Sequence, residues 1–157
     1  MIISGFDKRK AARIILASLI FLTLGFIFFQ SALPPSKSVA ESDAVSDFVG
    51  DIIPEDTRAG EFIQDNIRKL AHLFEYMALG LWVSLYVYIF MRKRRIIAAS
   101  YALALFVALI DETVQIFSLR GASVLDVWLD FFGFSISAVL VYTVHLVTQS
   151  LKKRVEK

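Results

Sequence analysis

Four long apolar runs constrain this chain more than any other feature. They cover residues 14–33, 70–91, 96–119 and 124–147. About 20 apolar residues, each rising 1.5 Å along a helix, cross the roughly 30 Å hydrocarbon core of a bilayer. Hydrophobic residues make up 57% of the chain, against about 45–50% in soluble domains. The sequence therefore predicts an all-α polytopic membrane protein, a four-transmembrane-helix bundle forming a single domain over residues 1–157.

The first apolar run follows basic residues, as a secretory signal peptide would. Lys8, Arg9, Lys10 and Arg13 precede it. The run is longer than the roughly 7–15 apolar residues of a typical signal peptide, and "FFQSALPPS" after it offers a poor cleavage site. We therefore expect an uncleaved membrane anchor, with cleavage as the alternative.

Lysine and arginine cluster in three places. The N-terminus, the turn "RKRR" at 92–95 and the tail "KKRVEK" together hold 12 of the 17. Four spans bring all three clusters to one side, which the positive-inside rule assigns to the cytoplasm, so we expect both termini there. Because topology explains the basic charge, nucleic acid is not an expected partner. The chain has no cysteine, which excludes disulfides and thiolate metal sites.

Segment 34–66, predicted to be extracytoplasmic, carries eight acidic residues. Pro34 and Pro35 end the first span, because proline cannot continue a helix. Ser38 and Glu41 have capping-box spacing, and apolar residues recur beyond them at helical intervals before Pro54. These are Val45, Phe48, Val49 and Ile52. We predict a short amphipathic helix that lies on the outer surface or covers the bundle, and a second helical stretch at 61–67 that continues into the second span. The alternative is a solvated acidic linker.

Ionisable residues interrupt the last three spans at one depth. Counted from the basic turn at 1.5 Å per residue, Asp111 lies about 22 Å along its helix and Glu75 about 25 Å along its own. The same count places His72 and Asp126 near the outer interface and Asp130 about one turn deeper. Together with Glu112 and the bases Arg68, Lys69 and Arg120, these residues form one polar level, although they are far apart in sequence.

The helical phase of these residues agrees with their depth. The second span has a polar side that contains Arg68, Lys69, His72, Glu75, Tyr76 and Leu79. The third has a stripe of Asp111, Gln115 and Ser118, with Glu112 at its edge and Ala104 and Ala108 beneath, and the fourth a stripe of Asp126, Asp130, Gly133 and Ser137. Small residues at such spacing allow close helix approach, so we expect the two stripes to face each other inside the bundle.

An isolated charge in a membrane helix costs at least about 2.5–3.5 kcal/mol, so such residues usually pair and mark function. The structural alternative is that the three bases neutralise some of the acids and fix the helices together. Five acids against three bases fit a functional site better. His145, near the other end of its helix, is expected to be a partly exposed or hydrogen-bonded helix residue.

Two segments resemble the signatures of a known family. "RKLAHLFEYMALG" is similar to the first signature of the VanZ-like family, a Lys-x-x-His-x-x-x-Tyr helix followed by Gly, and "DETVQIFSLRGASVLDVWLDFFG" is similar to the second. The resemblance carries over Lys69, His72, Glu75, Tyr76, Asp111, Glu112, Gln115, Arg120, Asp126 and Asp130. Many members have Asn where this chain has Asp130, and a Pro in the turn that is "SLRG" here, which leaves the role of Asp130 and the turn geometry open.

The resemblance implies a protein of the bacterial cell membrane, in a family named for a teicoplanin-resistance protein of glycopeptide-resistant bacteria. The expected function is glycopeptide tolerance through a site near the outer leaflet that binds or modifies an envelope lipid or lipid-linked cell-wall precursor. Candidate catalytic residues are His72, Glu75, Asp111, Glu112 and Asp126. Candidate substrate-binding residues are Lys69, Tyr76, Gln115, Arg120 and Asp130.

Three mechanisms stay open at this point. In the first, His72 is a general acid or base oriented by Glu75 or Asp111, while Arg120 and Lys69 hold phosphate or carboxylate groups. In the second, the same bases hold the ligand without chemistry. In the third, His72, Glu75 and the aspartates bind Mg, Mn or Zn. We expect no cofactor, with a divalent metal as the alternative.

Overall fold

The computed structural model of the chain describes residues 7–54, 56–91, 93–121 and 123–155. These residues form five α-helices and no strand. Helix α1 covers Lys8–Ala32, α2 Pro35–Gly50, α3 Arg58–Tyr86, α4 Arg94–Phe117 and α5 Val124–Val155. A single π-helical turn, Val87–Met91, follows α3. The predicted all-α fold is confirmed.

Four of the helical segments are long and apolar enough to cross a membrane. They are Lys8–Ala32, Arg58–Met91, Arg94–Phe117 and Val124–Lys152, which confirms the four predicted spans. The second begins well before residue 70, because the predicted helical stretch at 61–67 is continuous with it. The Thr57 hydroxyl caps this helix by accepting a 3.0 Å hydrogen bond from the Gly60 amide. The chain is therefore an all-α membrane bundle.

Helix α2 confirms the predicted helix after the first span. The alternative of a solvated acidic linker is therefore wrong for residues 35–50. The predicted capping box is also wrong, since the helix begins at Pro35 with Pro34 at its N-cap and Ser38 lies in its first turn. Proline suits the first helical position because its fixed φ matches the helix and its missing N–H needs no partner there. Of the predicted apolar residues, Phe48 is exposed, and Val45 is exposed in part and lines a cavity beneath this helix.

The closest helix packing joins α3 and α5. A Cβ atom on Gly133 would lie 2.5 Å from the Leu73 carbonyl oxygen, and one on Gly80 would lie 2.8 Å from the Phe134 Cα. Only glycine fits at these two points, and its use allows the two backbones to touch. Helix α1 packs across α3 and α4, and α2 rests on α3. The core includes Ile27, Tyr76, Leu79, Ala104, Val107, Ala108, Val127, Phe134 and Ala138.

The bundle has two unlike ends, which we call the polar end and the basic end. At the polar end, α1 and α4 finish and α5 begins, and the buried ionisable side chains collect there. At the basic end, the start of α1 meets the π-helical turn, where the Arg13 guanidinium lies 4.9 Å from the centre of the Phe90 ring. The end of α5 joins them through the Tyr88 and His145 rings, 5.7 Å apart.

Candidate functional site

The polar end contains a cluster of buried polar side chains from three helices and one turn. His72 and Tyr76 come from α3, and Asp130 comes from α5. Asp111, Glu112 and Gln115 come from α4, and Arg120 follows it in the turn. All seven are buried, although glycine, alanine and large apolar residues surround them in sequence. The predicted convergence of distant polar residues is what the folded chain shows.

His72, Asp111 and Asp130 form the centre of this cluster. One nitrogen or oxygen atom from each lies within 4.8 Å of those of the other two. The His72 Nδ1 is 3.7 Å from the Asp111 Oδ2 and 4.0 Å from the Glu75 Oε2. Because each of the three comes from a different helix, the centre forms only when α3, α4 and α5 pack together.

Helix α1 contributes to this centre, which the sequence interpretation missed. The Ser31 hydroxyl is fully buried and donates a hydrogen bond to the Asp111 Oδ1. The neighbouring Gln30 accepts a 2.6 Å hydrogen bond from the Arg120 Nη1 on its backbone carbonyl. The available signal was the pair Gln30 and Ser31 in the last turn of an otherwise apolar span, since polar residues there tend to bond to other helices.

The turn between α4 and α5 aims Arg120 back into the bundle. The Arg120 amide donates to the Gln115 carbonyl at 2.9 Å and the Leu119 amide to the Ile116 carbonyl at 3.1 Å, the pattern of a Schellman motif. Leu119 has a φ of 57° where such motifs usually have glycine. Burial lowers the pKa of Arg120 below its ordinary value, and the nearby Arg68 charge lowers it further. An arginine remains charged despite such a shift.

Hydrogen bonds connect the remaining site residues. Gln115 donates from its Nε2 to the Glu112 Oε1 at 3.0 Å and accepts from the Arg68 Nη2 at 3.2 Å. The other Glu112 oxygen accepts a 2.9 Å bond from the Ser123 amide, just before α5 begins. This network fixes the start of α5 to α4 and brings Arg68 of α3 to the same place.

Arg68, Lys69 and Arg120 make no ion pair with an acidic side chain of the described residues. In the described ranges, the contacts of 4.0 Å or less between a basic and an acidic side chain both involve His72. Several buried polar atoms also lack a hydrogen-bond partner within that part of the chain: His72 Nδ1, Glu75 Oε2, Tyr76 Oη, Arg120 Nε and both oxygens of Asp130. A buried polar group left unsatisfied costs about 1–3 kcal/mol, so such a concentration is a poor device for holding helices together.

Two cavities open beside this cluster, beneath α2. The smaller has a volume of about 80 Å³ and is lined by Gln30, Glu41, His72, Glu75 and Arg120, among others. The larger, about 380 Å³, is lined by Lys69, Glu112, Gln115, Gly121 and Asp126, among others. Ser38, Ser42, Ile67, Arg68 and His72 line both. Helix α2 therefore forms the cover of the site.

The sequence-predicted site residues fall into two layers. His72, Glu75, Glu112, Gln115 and Arg120 line a cavity, as do the half-buried Asp126 and the exposed Lys69 at its margin. Tyr76, Asp111 and Asp130 lie fully buried behind them. His145 lies apart at the basic end, half-exposed and 2.8 Å from the Gln149 Nε2, as expected for a hydrogen-bonded helix residue.

The comparisons with known proteins give one match. The model of the family described as VanZ/LLP1 matches residues 15–146. Neither a curated protein sequence nor a solved structure matches the chain. The matched range includes the second and third candidate spans, most of the first and fourth, and every residue of the site described above.

Proposed function

Because this chain belongs to the VanZ/LLP1 family, we propose that it acts in the bacterial cell membrane by binding the anionic head group of an envelope lipid or lipid-linked cell-wall precursor. The observation that carries this proposal is the pair of cavities beneath α2, which both present Arg68 and of which the smaller also presents Arg120. Guanidinium groups suit phosphate and carboxylate because their planar donors match those anions in paired hydrogen bonds.

The two arginines are held where a head group could reach them. The Arg120 Nη1 donates a hydrogen bond to the Gln30 carbonyl, and the Arg120 Nε has no partner within the described residues. Arg68 is half-buried and bonds Gln115 through its Nη2. Since neither guanidinium lies within 4.0 Å of a carboxylate of the described residues, a bound anion would not have to compete there with a direct ion pair. Lys69 at the rim adds a further positive charge outside the cavity.

Binding of an anionic head group is tested with purified protein in detergent. The probes are polyprenyl phosphate, for a precursor carrier, and phosphatidylglycerol, for a membrane lipid, with polyprenol and diacylglycerol as phosphate-free controls. Charge-assisted hydrogen bonds contribute about 1.5–3 kcal/mol, so Arg120→Gln should weaken binding of the preferred probe at least about tenfold. Arg95→Gln, which removes an exposed charge at the basic end, should leave it unchanged. Equal binding of phosphorylated and phosphate-free lipids by the wild type would contradict the proposal.

We propose that the polar end faces the extracytoplasmic side, with both termini in the cytoplasm. The positive-inside rule supports this orientation, since basic groups flank α1, α4 and α5 at the basic end. The absence of cysteine allows a clean test, because a single introduced cysteine is the only site for a maleimide. Lys37→Cys in α2 should react with a membrane-impermeant maleimide in intact cells. Ser150→Cys should react only after permeabilisation, and the opposite pattern would reverse the orientation.

This location supports a part in tolerance of glycopeptides such as teicoplanin, which act on precursors at the outer leaflet. Teicoplanin susceptibility is compared for cells carrying wild type, His72→Ala or Asp126→Ala, which both alter a cavity wall. We expect both variants to lose tolerance. Unchanged tolerance in both, at normal protein levels, would exclude the site from this function.

Modification of the bound molecule is a second candidate, favoured by one observation. The His72 Nδ1 is buried close to Glu75 and Asp111 without a hydrogen-bond partner in the described part of the chain, and the His72 residue lines both cavities. A histidine so placed can act as a general acid or base. Mass spectrometry of envelope lipids distinguishes the candidates. A lipid or precursor mass that appears with wild type and disappears with His72→Ala indicates an enzyme, and identical lipid profiles indicate a binding protein.

A further inference from the structure

We propose that His72, Asp111 and Asp130 bind one divalent transition-metal ion, Mn²⁺ or Zn²⁺, behind the cavity walls at the polar end. The proposal deepens the function proposed above and rests on it in assigning the metal to the same head-group site. Metal binding is nevertheless measured without any lipid, so either proposal can fail while the other stands.

The distances between the three side chains fit a preformed metal site. Two ligands of one ion, each about 2.0–2.2 Å from it, lie at most about 4.4 Å apart. The His72 Nδ1 and Asp111 Oδ2 meet this limit at 3.7 Å. Because the three candidate ligand atoms all lie within 4.8 Å of one another, a contraction of about half an ångström, within reach of small side-chain rotations, completes the set.

Both oxygens of Asp111 accept a hydrogen bond, and one of them also lies near His72. Ser31 donates to the Oδ1, and the Gln115 Nε2 donates at 3.4 Å to the Oδ2, which lies 3.7 Å from the His72 Nδ1. Metal-binding carboxylates and histidines are typically oriented by such outer partners. The buried hydroxyl of Ser31 in α1 therefore acquires a specific role, which is to orient Asp111 toward the ion.

Asp130 gives the independent indication of a missing partner. Its side chain is 0% exposed, and neither of its oxygens has a hydrogen-bond partner among the residues the structure describes. The His72 Nδ1 is also buried and unpartnered. Buried polar groups are bonded in the large majority of cases, so unsatisfied atoms that converge on one point indicate an ion or a proton held between them.

Acidic side chains outnumber basic ones in the cluster. Glu75, Asp111, Glu112 and Asp130 lie close to one another, and Arg68 and Arg120 are the guanidiniums beside them. A bound cation would offset the repulsion among these acids. An imidazole combined with carboxylates suits Mn²⁺ or Zn²⁺ better than Mg²⁺ or Ca²⁺, which prefer oxygen ligands alone.

The position of the ion relative to the cavities suits the proposed ligand. His72 borders both cavities, while Asp111 and Asp130 lie behind the walls. A cation held at this point would add positive charge next to Arg68 and Arg120. A phosphate group that enters the cavity would then meet positive charge from two sides.

The test counts metal on the purified full chain in detergent. The protein is stripped with a chelator, incubated with Mn²⁺ or Zn²⁺ and desalted, and bound metal is measured by elemental analysis and, for Mn²⁺, by electron paramagnetic resonance. We expect one ion per wild-type chain. Saturating metal should also raise the midpoint of thermal unfolding by about 5 °C, since it binds only the folded state.

Two aspartates on one helix provide the matched comparison. Asp130→Asn should weaken metal binding at least about tenfold, because it replaces a ligand. Asp126→Asn makes the same change one turn earlier on α5, outside the triad, and should retain one ion per chain. His72→Gln repeats the ligand test should Asp130→Asn fail to elute as a monodisperse species.

Three results would overturn the metal site: no ion above background in the wild type, equal retention by Asp130→Asn, or equal loss by Asp126→Asn. Wild type that binds polyprenyl phosphate or phosphatidylglycerol but no metal would disprove the metal site alone. Wild type that binds one ion but no anionic lipid would disprove the proposed function alone.

Discussion

The two ends of the bundle are built from the same helices by different kinds of contact. At the polar end, directional hydrogen bonds cross between elements, from Ser31 to Asp111, from Arg120 to Gln30 and from Arg68 to Gln115. At the basic end, the hydroxyls of Thr148 and Ser150 return to the backbone of their own helix. The contacts between helices there include stacked rings, as between Tyr88 and Tyr142 at 5.7 Å.

This difference separates the polar end, where side-chain positions must be precise, from the basic end, where close packing of the helices is enough. Helix association in lipid depends on close van der Waals contact rather than on apolar burial, and both ends have that. The polar end adds hydrogen bonds between elements, whose fixed direction sets the position of its buried polar side chains. Among the described residues, the cleft of about 390 Å³ at the basic end is lined mainly by apolar side chains, such as Leu81, Leu85 and Val144.

The largest expected loss of stability comes from separating α3 and α5, the helices that join the two ends. Gly133→Val would place a side chain against the Leu73 carbonyl oxygen, which is backbone and cannot rotate away. We expect a loss of about 3 kcal/mol in unfolding free energy, measured by denaturant titration in detergent micelles.

The matched control for this substitution lies in α1. A Cβ on Gly25 meets nothing within 4 Å, so Gly25→Val should change stability by less than about 0.5 kcal/mol. Equal destabilisation by both valines would show that the α3–α5 contact is not specific. It would also contradict the view that this contact fixes the positions of side chains at the polar end.

The second prediction compares one hydroxyl at each end. Ser31→Ala leaves the buried Asp111 without its donor from α1, which should cost about 1–2 kcal/mol in unfolding free energy. Ser150→Ala removes a hydroxyl that bonds only within α5 and should cost less than about 0.5 kcal/mol. The same detergent titration measures both, and similar losses would erase the distinction between the two ends.

The sequence was sufficient to predict the four spans and the convergence of most of the polar side chains at one end of the bundle. Length and hydropathy predict four membrane helices because each must be apolar over the thickness of a bilayer. Depth and helical phase predict that His72, Asp111 and Asp130 meet, since a helix fixes both quantities by its rise and rotation per residue. These are local properties of regular helices, and they survive folding unchanged.

The features that the sequence did not predict depend on packing between helices. Ser31 and Gln30 belong to an otherwise apolar span, and only the position of α1 against α4 reveals their partners. The capping-box pattern predicts a helix that starts at Ser38, because that pattern is purely local, whereas α2 begins at Pro35 directly after the first span. Lys69 and His72 share the predicted polar side of α3, yet Lys69 is exposed at the margin of the larger cavity, whereas His72 is buried.

The third prediction concerns the turn that aims Arg120 into the polar end. Leu119 has a φ of 57°, a conformation that costs an L residue about 1–2 kcal/mol, and its side chain is 86% exposed. Leu119→Gly should therefore raise the unfolding free energy by about 1 kcal/mol. Gly121 has no positive φ, so Gly121→Ala should not destabilise the protein. A gain from Leu119→Gly that also weakens lipid binding would show that the strained turn serves the site.

The smallest effect is expected at the basic end. The Arg13 guanidinium lies 4.9 Å from the centre of the Phe90 ring in the π-helical turn, and an exposed cation–π contact contributes about 0.5–1 kcal/mol. Arg13→Gln should lower the unfolding free energy by no more than this, whereas Arg9→Gln, an exposed charge one turn earlier, should leave it unchanged. Head-group binding should be the same in both variants, because neither residue reaches the cavities. A binding loss in Arg13→Gln would show that the two ends are coupled through α1, since α1 is the helix that carries both Arg13 and the Ser31 that bonds Asp111.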